Sequence, residues 1–91
     1  MARNRTIKPE FWTSEQVTSM SRDARLLWIG IWCFSDDQGV HPEGLRRPKN
    51  EVFPCDDDMT LEVMGGLVEE MERAGLLASY QVEGETFWFV P

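Results

Sequence analysis

The chain has one histidine, one tyrosine and two cysteines in 91 residues. Basic residues nearly vanish from its second half. Residues 51–91 hold a single cation, Arg73, against ten Asp or Glu, whereas residues 1–50 hold eight Lys or Arg against six acids. It also lacks a glycine-rich phosphate loop and any paired-cysteine motif. These absences exclude most chemistry. A lone His41 has no Ser or Cys partner of triad character, so it reads as an exposed loop residue rather than a base. Cys33 and Cys55 lack metal-ligand spacing, and Asp36 and Asp37 are followed by Val40 where a calcium loop needs an oxygen. No enzyme activity, metal, cofactor or small-molecule substrate is therefore expected. No apolar run reaches membrane length, and the basic start has no apolar stretch behind it. A cytoplasmic protein without membrane contact is expected, a setting that argues against a Cys33–Cys55 bridge.

What is present is a strong apolar axis. Nine of the eleven residues from Ala24 to Phe34 are apolar, interrupted only by Arg25 and Gly30. The run is too long for an ordinary strand. With Ser21 as N-cap it predicts a helix over 22–35, apolar on nearly every side and so covered on nearly every side. Four tryptophans accompany it, at 12, 28, 32 and 88. They are hard to bury in one small core. Trp28 or Trp32 is expected inside, and Trp12 and Trp88 are candidates for an exposed partner-binding patch.

The remaining elements follow from punctuation and period. Residues 1–9 form a basic arm with Arg3, Arg5 and Lys8. Thr13 with Gln16 has the form of a capping box before a short helix through Met20. Asp36 to Gly39 is a turn, its acids bonding locally, and Val40 begins a very short strand ended by Pro42. Leu45 to Phe53 predicts a short helix with a basic face, Arg46, Arg47 and Lys49, and an apolar side, Val52 and Phe53. A second strong helix runs over 60–74, with Leu61, Met64, Leu67, Val68 and Met71 on one stripe. Gly65-Gly66 inside it predicts a close backbone approach or a bend. Gly75 ends it. Glu83-Gly84-Glu85 links two strands, 77–82 and 86–90, as a hairpin. Phe87 and Phe89 fall on one face of the last strand, Trp88 and Val90 on the other, so the core does not use this strand in the usual one-sided way.

This order predicts one domain over 1–91 of mainly α (α+β) class, a winged helix-turn-helix in which 45–53 and 60–74 form the helix-turn-helix and 77–90 the wing. The second helix then holds the position of a DNA reader. Its outward stripe is Glu62, Gly66, Glu69 and Arg73, flanked by Glu70 and Glu72, and base or phosphate contact needs the opposite charge.

The strings Arg5-Thr6-Ile7-Lys8-Pro9-Glu10-Phe11-Trp12, Ala24 to Trp32, Asp36-Asp37-Gln38-Gly39 and Glu51-Val52-Phe53-Pro54 resemble the N-terminal winged-helix domain of phage and prophage replication proteins related to replisome organisers and DnaD-type primosomal proteins. The resemblance implies a DNA-replication context and a longer native protein, and brings no catalytic residues. Two functions are expected on these grounds. The first is DNA phosphate contact through Arg3, Arg5, Lys8, Arg46, Arg47 and Lys49. The alternative is a protein-interaction or self-association module that binds a partner through Trp12, Trp88, Glu62, Glu69 and Arg73.

Overall fold

Helix α2, Arg22–Cys33, carries the centre of the domain in the computed structural model, which describes residues 4–36 and 38–90. Its start is set by Ser21, whose side chain accepts from the Ala24 N–H. Before it come a 3-10 turn, Pro9–Thr13, and a one-turn helix α1, Glu15–Thr18. After it follow β1 (Val40–Pro42), α3 (Arg46–Val52), α4 (Leu61–Arg73), β2 (Ala78–Val82) and β3 (Glu85–Phe89). The architecture is a small α+β domain. Its three strands form one antiparallel sheet of order β1-β3-β2, so the first strand pairs with the last. Among the described residues no helix is long and apolar enough to cross a membrane.

The core lies between α2, α4 and the inner side of the sheet. Ala24, Leu27, Trp28 and Ile31 of α2 meet Met64, Leu67, Val68 and Met71 of α4, closed by Phe53, Met59, Leu77, Trp88 and Val90. These α4 residues are the period-3.6 stripe read from sequence, although Leu61 at its start is left exposed. Polar bonds fix the packing. Trp28 Nε1 donates to the Leu76 carbonyl at 2.9 Å. The Glu70 carboxylate accepts from the Ser21 N–H and hydroxyl at 2.7 and 2.9 Å, tying α4 to the start of α2. Helix α4 is capped by the Thr60 side chain and closed by Gly75, at φ +76°, with Leu76 N–H bonded to Met71 O and Gly75 N–H to Glu72 O. That pair of bonds is a Schellman closure.

Four expectations need correction. Thr13 does not cap α1; Ser14 occupies the cap position and makes no side-chain cap bond, while the Thr13 hydroxyl donates to Glu10 O within the 3-10 turn. Helix α2 is not covered all round, because Leu26 is 53% exposed. The glycine pair of α4 is not a close-approach site: a Cβ on Gly65 would meet only Leu45 Cδ1 at an ordinary 3.6 Å, and one on Gly66 would meet nothing. The close approach occurs at Gly30, where an added Cβ would run into Val52 of α3.

His41 is the fourth. It sits on β1 and is fully buried rather than exposed. Nδ1 donates to the Pro42 carbonyl at 2.7 Å, Nε2 lies 3.1 Å from Glu51 Oε1, and the ring stacks at 6.0 Å on Trp88, its register partner in β3. His41 therefore joins sheet to α3 as a structural polar link.

Candidate functional site

The phosphate expectation rests on the basic residues. Arg3 lies outside the described residues. Arg5 is turned onto its own chain: Nη2 donates to the carbonyls of Ser35 and Asp36 at 3.1 and 2.7 Å, and the guanidinium lies 5.6 Å from the Trp32 ring centroid. These carbonyls lie just past the end of α2, where the helix dipole favours a cation. Arg47 pairs with Glu51 at 3.4 Å. Lys49 donates to the Phe53 carbonyl. Arg25, outside the expected set, bonds the carbonyls of Val17, Thr18 and Met20. Arg46 is exposed at the start of α3 and Lys8 is exposed before the 3-10 turn. The structure thus brings Arg46, Arg47 and Lys49 onto one short helix, but engages two of the three within it.

The Asp36 carboxylate has a comparable local role. Oδ1 accepts from the Val40 and Gln38 N–H groups at 3.0 and 2.9 Å. Those two bonds, the Val40 bond foremost, hold its carboxyl below the usual carboxylate range, and the charge of Arg5 acts in the same direction. Among the described residues no group of three or more His, Cys, Asp or Glu side chains is gathered as a metal site.

The outward face of α4 is different. Glu62, Gly66, Glu69 and Arg73 are all exposed along it, as their spacing of three and four requires. Arg73 leans back, its Nε 3.4 Å from Glu69 O. Beside them a groove of about 710 Å³ runs between α4 and the turn after α1. Gly66, Val63 and Leu67 give it an apolar part; Glu69, Glu70, Arg73 and Ser19 give it a polar one. A Cβ on Gly66 would meet nothing within 4 Å, so no packing contact demands a glycine there.

The tryptophans divide. Trp12 is 57% exposed and lines a second, smaller apolar cleft of about 300 Å³ with Leu26, Ile29, Arg22 and Arg25. Trp88 is 3% exposed, so its assignment to an exposed patch is corrected: the alternation of β3 turns it inward with Val90. Trp28 and Trp32 stack on each other, and Phe11 stacks on Trp28.

The exposed apolar residues that the sequence reading did not assign to a site are Leu26, Leu61, Val63, Tyr80, Val82 and Phe89. For Phe89 the signal was present in the two-sided apolar pattern of β3. For Val63 it lay in its position off the apolar stripe of α4, whereas for Leu26, within a run apolar on nearly every side, exposure depends on which helix face finds a neighbour.

Comparison of the chain with protein-family models, with curated proteins and with solved structures gives no match in any of the three. What the surfaces of the domain present is therefore the guide to its function.

Proposed function

We propose that the chain is a winged-helix module of the phage-replication type that works by docking a basic protein segment on α4. The element order α2, β1, α3, α4, β2, β3 and the sheet order β1-β3-β2 are compatible with a winged helix, a layout in which α4 would take the reader position. The observation that carries the docking reading is the outward face of α4. A glycine that no packing demands holds open a groove rimmed by Glu69 and Glu70, with Glu62 on the same exposed face. DNA would meet repulsion there, whereas a segment with Lys or Arg beside an apolar side chain finds both charge and a floor.

Phosphate contact is the second reading. It is favoured by Arg46 and Arg47, both exposed at the first turn of α3.

One titration separates the two. The 91-residue chain is mixed with an amphipathic Leu/Lys helical peptide and, separately, with duplex DNA over a salt series. The peptide is expected to bind, and Glu69→Lys to weaken it by about tenfold. Gly66→Gln, which fills the groove floor, is expected to weaken it similarly. Peptide affinity indifferent to both substitutions, together with salt-sensitive DNA binding lost in Arg46→Glu, refutes the docking reading in favour of the phosphate one.

A further inference from the structure

The outer side of the sheet and the free edge of β2 form a surface separate from the α4 groove. In register, Ala78 and Val40 flank Phe89, Tyr80 and Pro42 flank Phe87, and Val82 faces Glu85. Residues paired across strands share a face. The outer face is thus apolar from Val40 through Phe89 to Ala78, and Tyr80, Val82 and Phe89 on it are well exposed. Trp88, Val90 and His41 occupy the inner face and are buried.

Strand β2 pairs only with β3, so its second edge is open among the described residues. The edge carries none of the usual guards: Ala78-Ser79-Tyr80-Gln81-Val82 has no charge and no proline, and its pairing with β3 is unbroken by a bulge. The turn fixes which groups it offers. Glu83 and Gly84 have φ of +52° and +83°, the type I′ form, which makes Val82–Glu85 a hydrogen-bonded pair. Pairs alternate, so Ala78, Tyr80 and Val82 bond to β3 while Ser79 and Gln81 direct their N–H and C=O groups to the open edge.

Charge selects the occupant. The strands and the hairpin turn contain no Lys or Arg. Glu83 and Glu85 stand at the hairpin tip, and on the inner side of β2 the Ser79 hydroxyl lies 3.3 Å from a Glu72 oxygen and 3.5 Å from a Glu43 oxygen. One hydroxyl proton serves only one of these carboxylates at a time. A second copy of this chain, with net charge −7, would bring the same acids against themselves.

We propose that β2 is a docking edge for an extended segment that alternates apolar with basic residues. The segment adds as a fourth strand on Ser79 and Gln81. Its apolar side chains continue the outer face beside Tyr80 and Val82, and its Lys or Arg side chains fall on the inner side near Glu72 and Glu43. This is strand addition, with main-chain bonds supplying affinity and alternate side chains specificity. It does not depend on the α4 reading.

The test uses the 91-residue chain and three octapeptides: one alternating Val with Lys, one alternating Val with Glu, and one with four Val followed by four Lys. Backbone amide exchange is followed residue by residue. The Val/Lys peptide is expected to slow exchange at Ser79 and Gln81 by about tenfold or more, while the other two do not. Gln81→Pro removes an outward N–H without touching the β3 ladder, and Tyr80→Lys places a guard on the edge. Each is expected to weaken binding by about tenfold at an unchanged melting temperature. Glu43→Gln with Glu72→Gln is expected to weaken it several-fold and flatten its salt dependence. Equal binding of the Val/Glu or block peptide overturns the proposal, as does binding without protection at Ser79 and Gln81. Protection of those amides that rises with protein concentration alone overturns it too, since the occupant is then a second copy.

Discussion

Gly30 offers the sharpest test of the packing that holds this fold. It lies in the interior of α2, where Gly→Ala alone should stabilise a helix by roughly 1 kcal/mol. The structure says otherwise. A Cβ at position 30 would lie 2.8 Å from Val52 Cγ1 and 3.1 Å from Val52 Cβ, with Cγ2 closer still. Carbon atoms in contact prefer about 3.5–4.0 Å. Rotating Val52 does not relieve this, because its Cβ is itself too near and β-branched side chains are stiff. The end of α3 has to move outward, and with it Phe53, which is buried in the core, and Glu51, which holds His41. Such overpacking costs about 1–3 kcal/mol. Subtracting the propensity gain leaves Gly30→Ala destabilising by about 1 kcal/mol, or some 4–8 °C in melting temperature for a domain of this size. Urea denaturation measures it. Val52→Ala removes the obstructing methyl groups, so the double variant Gly30→Ala/Val52→Ala is expected to show a favourable coupling of about 1 kcal/mol or more. The reasoning is refuted if Gly30→Ala raises stability by the full propensity increment and the coupling is absent.

Two further outcomes follow from local geometry. Glu83 is a non-glycine residue at φ +52° in the hairpin turn, and Glu83→Asn, which suits that conformation, is expected to raise the urea midpoint by the equivalent of about 0.5–1 kcal/mol; an unchanged or lower midpoint counts against the strain. The Asp36 carboxyl is held low in the folded state, so the stability it contributes is present above the unfolded value of about 3.9 and is lost as pH falls through the lower folded value. Asp36→Asn is expected to flatten the acid limb of the stability profile, and a carboxyl titration by NMR should place Asp36 below ordinary Asp; an ordinary midpoint refutes the bonding to Val40 and Gln38.

Elements were legible where a signal is local and repeated. The stripe of α4, the Ser21 cap, the three-residue strand ended by Pro42 and the hairpin each occupy neighbouring residues and are observed within one or two positions. The larger errors depended on a partner distant in sequence. The bonds of Arg5 to the carbonyls of Ser35 and Asp36, thirty residues on, have no local signal either. His41 looks like a loop residue until Glu51 and Trp88 enclose it. A glycine pair attracts attention as a packing signal, yet the glycine that packing requires is the single Gly30, because only the fold brings Val52 to it. Thr13 and Ser14 are adjacent and equally good caps by type, so the 3-10 turn decided between them.

The charge distribution has a simple logic. Several cations bond the chain's own carbonyls and carboxylates: Arg5 at the end of α2, Arg25 at the turn before it, Lys49 at the end of α3, and the exposed Arg47 on Glu51. Acids are left outward on α4 and around the hairpin. A surface built this way presents a polyanion with mostly like charge on the outward face of α4. It leaves α4 and β2, joined through the Glu72–Ser79 contact, as neighbouring surfaces of the same sign. A partner that presents a basic helix to α4 and a basic strand to β2 would engage both at once. The two sites then share an effective concentration set by the length of chain between those segments, so that a linked ligand exceeds either alone without any new contact.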